Sequence, residues 1–96
     1  MEFGVPRPSS VGRFKMEVLV WDWETGQPTI VRFGHRDYDD FLGHGDWDRR
    51  ASYLRRSAGI RDGRGRFTSG DPRSPNFWSR RVLWRSGEPM VYVGPR

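Results

Sequence analysis

The sequence predicts a small α+β domain: a β-hairpin with two short helices, an extended N-terminal arm and an extended C-terminal tail. Three observations carry this. Residues 14–23 and 29–33 are β-type apolar runs separated by a Gly/Pro turn. Residues 46–59 open on carboxylates, continue with helical spacing and stop at a glycine. Ser74-Pro75 is a helix-opening pair in front of a second apolar run.

The elements follow in order. Residues 1–13 contain two prolines, and each disfavours helix at the residue before it, so an extended arm is expected, disordered when free in solution. Phe14, Met16, Val18, Val20 and Asp22 fall on one side of the first strand. Lys15, Glu17, Leu19, Trp21 and Trp23 fall on the other, which turns apolar only late. Such a strand is covered on both sides near its end. Glu24-Thr25-Gly26-Gln27-Pro28 is a turn, and Thr29 to Phe33 form the second strand, ending at Gly34. A hairpin of this kind is marginal alone and needs a cover over one face. Residues 35–45 read as an Asp/Gly loop.

Asp46 occupies the N-cap position of the first helix, and Asp48 lies in its first turn. Both suit the unpaired N–H groups and the positive end of the helix dipole. Trp47, Ala51, Leu54 and Ala58 make one apolar stripe, with Tyr53 at its border and Arg49, Arg50, Arg55 and Arg56 off it. Gly59 stands where a C′ glycine would end the helix. Residues 59–73 hold four glycines and four arginines around Phe67 and read as a flexible loop. Phe77, Trp78, Val82, Leu83 and Trp84 make the second helix apolar over most of its girth, so it should be the most buried element. Gly87 and Pro89 end it. Met90 to Val93 form either a third short strand or a docking tail. The chain thus divides into an arm (1–13), one domain (14–86) and a tail (87–96).

Ninety-six residues bury a small core, and five Trp, six Phe and three Tyr point to an aromatic one. Without cysteine there is no disulfide, thiolate zinc site or Cys nucleophile. The N-terminal residues lack the apolar run of a signal peptide, and no segment approaches the roughly 20 apolar residues of a membrane span. Net charge is +5, unevenly distributed. Residues 17–48 carry eight carboxylates against two arginines, a net of −6; residues 49–85 carry eleven arginines against two carboxylates, a net of +9. Either the halves neutralise one another on folding, or the second presents a basic face to an anionic partner. Sixteen of the seventeen cations are Arg, the cation suited to bidentate and stacked contacts.

Chemical motifs are sparse. His44, Asp46, Asp39 and Asp40 can be drawn as a metal site, but capping and turn hydrogen bonds explain them more simply. Adjacent Asp39 and Asp40 point apart, the serines fall in caps, arms and loops, and no glycine motif has a phosphate-binding context. No enzyme, cofactor, metal or small-molecule substrate is expected. Arg61, Arg64 and Arg66, interleaved with glycine and followed by Phe67, can track phosphates while the ring stacks on a base. With Arg49, Arg50, Arg55, Arg56, Arg80 and Arg81 they are the candidate contact residues for a protein partner or a nucleic acid.

One ordered series adds a resemblance. Phe33-Gly34, Tyr38, Phe41, His44, Asp46, Arg49-Arg50, Tyr53-Leu54-Arg55-Arg56, then Phe77-Trp78-Ser79-Arg80 and Val82-Leu83-Trp84, resemble a family of small basic proteins of nucleocytoplasmic large DNA viruses, iridovirus-like and mimivirus-like. The likeness spans residues 29–86. It departs at Leu42, where the family has threonine, at Ser57, where it has histidine, and in the Gly/Arg insert. It implies a viral setting and no particular chemistry. With the aromatic content and extended ends, it leads to the expectation of a minor capsid protein, contacting other virion proteins in the shell and present in host cytoplasm during assembly. The alternatives are a small basic protein packaged with viral DNA, or a modulator of host factors left out of particles.

Overall fold

The computed structural model describes residues 2–95. Its centre is an antiparallel sheet of three strands in the order β1 (Arg7–Pro8), β2 (Phe14–Asp22) and β3 (Gln27–His35). The hairpin pairs Met16 with Phe33, Val18 with Val31 and Val20 with Thr29. That register puts the predicted apolar face of β2 beside Val31 and Phe33. Val18, Val20, Val31 and Phe33 are all buried, and each such side chain contributes about 1.5–3 kcal/mol.

The cover over this face comes from the Ser74-Pro75 element. Ser74 caps α3 (Pro75–Trp78) by accepting from the Asn76 N–H. The chain then widens into a π-helical turn, Ser79–Leu83, closed by Trp84 N–H donating to Ser79 O at 3.0 Å. A continuous α-helix would spread its apolar residues around the girth. The wider turn lets Leu83 and Trp84 join Phe77 and Trp78 in the core, where none is more than 8 % exposed. Phe33 and Trp78 stack with centroids 6.4 Å apart.

The arm is not free. Arg7 and Pro8 pair with Glu17 and Met16, Gly4 N–H donates to Leu19 O at 2.9 Å, and Ser9 N–H to Lys15 O at 3.1 Å. The tail completes the same edge. It forms no strand, but Val93 is buried and its carbonyl accepts from Trp21 N–H at 2.7 Å. Both termini therefore seal one edge of β2, where unpaired N–H and C=O groups would otherwise invite another chain. The edge contact also explains Pro28. Because Trp21 directs its amide to Val93, its cross-strand neighbour Pro28 sits at a non-hydrogen-bonded position and breaks no ladder bond. So β3 runs from Gln27 to His35, two residues longer at each end than its apolar run.

Residues 35–45 are not all loop. Phe41–His44 make one helical turn, α1, capped by Asp40 accepting from Gly43 N–H and ended by Gly45 at φ 64°. Helix α2 spans Trp47–Ala58 as predicted, with Asp46 accepting from the N–H groups of Asp48 and Arg49. Gly59 follows it in a right-handed conformation, not the left-handed one expected of a C′ glycine. The face that packs is also not the predicted stripe. Arg50, Tyr53, Leu54 and Ser57 point inward, while Trp47, Ala51 and Ala58 are exposed. Tyr53 decides this by stacking on Trp84 at 4.1 Å and 9°, a far larger contact than two alanines can offer.

The Gly/Arg loop is hydrogen-bonded rather than loose. The Asp62 carboxylate accepts from the N–H groups of Arg64 (2.8 Å) and Arg66 (3.0 Å), and Thr68 N–H donates to Ile60 O. Asn76 ties the loop to α2 through Ser57 O at 2.8 Å and Thr68 Oγ1 at 3.0 Å. A 3₁₀ turn, Thr68–Gly70, leads into α3.

Candidate interaction surface

The arginines sort into three groups by what they touch. Three are structural. Arg50 donates to the carbonyls of Trp84 (3.0 Å) and Arg85 (2.6 Å) while lying over the Trp47 and Phe41 rings. Arg85 holds its carbonyl there at φ 49°, an uncommon backbone for a residue with a side chain. Arg80 is buried and donates to Leu54 O, Ser57 Oγ and Glu88. Arg81 donates to Pro89 O, Ser69 O and Phe77 O over the Phe77 ring. Burial pushes the Arg81 proton affinity down.

A second group gathers about the hairpin turn and the Gly/Arg loop. Arg66 pairs with Asp62 at 3.0 Å, and Arg64 and Arg66 both reach Glu24 at 3.4 Å. Arg73, unremarked in the sequence, is the hub: it contacts Asp71 (3.2 Å), Asp22 (3.2 Å) and Glu24 (3.1 Å). Arg73 foremost, with Arg64 and Arg66, holds the Glu24 carboxyl below its ordinary range. The Arg66 N–H does the same for Asp62. Arg61 turns back to Gly65 O and lies 4.2 Å over the half-exposed Phe67 ring. The Arg-Gly motif is thus largely engaged with its own chain.

The third group is Arg49, Arg55 and Arg56 on α2. All are exposed, and no carboxylate among the described residues lies within ion-pair distance. Arg49 and Arg56 line a cleft of about 630 Å³ between α2 and the end of β3, together with Lys15, Tyr38, Tyr53 and Trp84. Lys15 Nζ contacts Asp40 at 2.7 Å and the Tyr38 carbonyl, so its charge is matched. Burial raises the Tyr53 phenol above its usual value. With Asp39, Asp40 and Asp48 also present, the lining carries both signs in equal number.

Glu17 is the group that sequence reasoning missed. It is 1 % exposed, yet its carboxylate accepts from Ser10 N–H (3.0 Å), Ser9 and Ser10 hydroxyls, and Arg7 Nε and Nη2 (3.1 and 2.9 Å). Chiefly the Ser10 N–H, and then Arg7, draw its pKa down to about 2. No local pattern announces this, because its ligands come from the arm.

Among the described residues, no three of His, Asp and Glu are grouped to hold a metal ion. His44 Nδ1 accepts from Asp46 N–H at 2.8 Å, consistent with a turn role. No helix among the described residues is long and apolar enough to cross a membrane. Large side chains remain outside: Tyr38, Trp47 and Tyr92 are 68–72 % exposed, and Trp23 and Phe67 about half.

No curated protein and no solved structure matches the chain. A family model described as a family of unknown function, DUF5754, matches residues 6–57, which run from the arm to the end of α2 and supply eleven of the fourteen cleft residues. That is 52 of 96 residues, and the chain belongs to this family.

Proposed function

We propose that this chain is a non-enzymatic structural component of a large DNA virus particle, a minor capsid protein that bridges or cements larger shell proteins. The observation that carries the reading is the set of rings left outside after the core and ion pairs are made. Trp47, Tyr38 and Tyr92 are more than two-thirds exposed, and Trp23 and Phe67 half. Trp and Tyr are the residues that anchor protein contacts, because they bury large area with few rotatable bonds. The viral setting is supported by the resemblance of the series Phe33-Gly34 to Trp84. The arm and tail serve their own sheet edge, so the contacts would come from side chains on a closed domain rather than from reaching termini.

Purified particles stripped with detergent and treated with nuclease test it. Retention of the protein on the shells is expected. Recovery only with the DNA would sink the proposal, and absence of its peptides from particles would point instead to a role in the infected cell.

One observation favours a second reading, a small DNA-associated protein: the three unmatched arginines of α2. It is the weaker, since Arg64 and Arg66 already face Glu24, and Arg50, Arg80 and Arg81 hold backbone carbonyls.

A further inference from the structure

Helix α2 carries an apolar seam of which its own fold covers only Leu54, and that in part. Trp47, Ala51, Leu54 and Ala58 recur at intervals of four, three and four, the spacing of a two-stranded coiled coil. The domain packs the neighbouring face, so Trp47 is 68 % exposed, Ala51 and Ala58 are exposed, and Leu54 is half-buried at the border. Phe41 and Arg50 support the Trp47 ring from its own chain at 4.9 and 5.2 Å. Asp48 and Arg55 flank the seam on its solvent side. Both are exposed, and neither has an ion-pair partner among the described residues. Charge is antisymmetric along the helix, with Asp46 and Asp48 at one end and Arg55 and Arg56 at the other.

We propose that two copies of this chain pair through α2, antiparallel, about a twofold axis midway along the helix. Antiparallel pairing sets Trp47 over Ala58 of the second copy and Ala51 beside its Leu54, each large side chain against a small one. It also brings Asp48 to Arg55 of the second copy, twice by symmetry, and aligns the helix dipoles head to tail. Parallel pairing would oppose Asp48 to Asp48 and Trp47 to Trp47. With one helix of 12 residues per copy, the contact is small and the association concentration-dependent. The inference stands whether or not the chain is a virion component.

Sedimentation equilibrium of the full chain over a wide concentration range tests it, with far-UV circular dichroism confirming the fold of each variant. A monomer–dimer equilibrium is expected. Ala51→Glu weakens it about tenfold or more, since a charge then enters the seam. Asp48→Arg or Arg55→Asp alone weakens it roughly three- to tenfold, and the double reversal returns it to within about twofold of the parent. If Asp48→Arg fails to fold, Ala58→Glu gives an independent arm, because position 58 is exposed and glutamate is a good helix former. A monomer at every concentration overturns the proposal. So does a dimer indifferent to the seam glutamates, or one weakened by single reversals that the double reversal fails to restore.

Discussion

Glu17 shows how one carboxylate can hold a segment of chain. It is buried under the arm and accepts from Arg7, Ser9 and Ser10. Its folded-state pKa of about 2 lies below the ordinary 4.5, so its contribution to stability is fully present above about pH 4.5 and is lost as pH falls toward 2. Acid should therefore loosen the arm first, visible as loss of amide protection at Gly4 and Ser9 before the hairpin opens. Glu17→Gln should do the same at neutral pH, raising trypsin cleavage after Arg13 by roughly tenfold. Unchanged cleavage would mean that backbone pairing alone holds the arm. Arg80 gives the complementary test. Removing it leaves the buried Ser57 Oγ without this donor and takes a partner from Leu54 O and the part-exposed Glu88. Arg80→Ala should cost about 3–5 kcal/mol in denaturant unfolding, whereas the exposed Arg55→Ala should stay within about 0.5 kcal/mol. Equal costs would contradict the sorting of arginines by contact.

At the scale of elements, Gly34 fixes how β3 meets the π-helical turn. Its φ is +74°, and a Cβ there would lie 2.5 Å from Leu83 Cδ1. Gly34→Ala should destabilise by about 1–3 kcal/mol, through backbone strain and an overfilled contact with the core. A neutral melting temperature would show that Leu83 moves aside freely. The same scale shows what the sequence could convey. Helix α2 was legible to its ends because Asp46 and Asp48 act locally and Ala58-Gly59 marks a stop. The hairpin was legible because Met16, Val18 and Val20 alternate with residues of the other face. The packed face of α2 was not, because it is chosen by Trp84, 31 positions beyond Tyr53 and known to it only through the fold. Helix α1 escaped for another reason: its single turn depends on Asp40 and Gly45, residues that equally mark a loop. The third strand was hidden because Arg7 and Pro8 have no strand pattern of their own and are recruited by the edge of β2.

At the scale of the whole molecule, the acidic and basic halves of the sequence meet at Asp22 and Glu24. Arg64, Arg66 and Arg73 gather on Glu24, Asp22, Asp62 and Asp71, so the excess of cations in the second half does not become a continuous basic face. Of the ten candidate contact residues, the exposed Arg49, Arg55, Arg56 and Arg61 have no carboxylate within ion-pair distance among the described residues. Any binding to duplex DNA through these four should then be weak and fall with salt at a slope no steeper than about −4 in log K against log salt, near 0.9 per neutralised phosphate. A steeper slope would require further cations, such as the exposed Arg13, Arg36 and Arg85 or loop arginines released from their carboxylates. What the molecule presents instead is large rings on a domain whose termini are tied down.

The location of the chain in the particle tests this account most directly. A cryo-electron microscopy map of purified virions should place it between larger shell subunits, with Trp23 and Tyr92 covered by them. Density confined to the genome, or none in the shell, would contradict it.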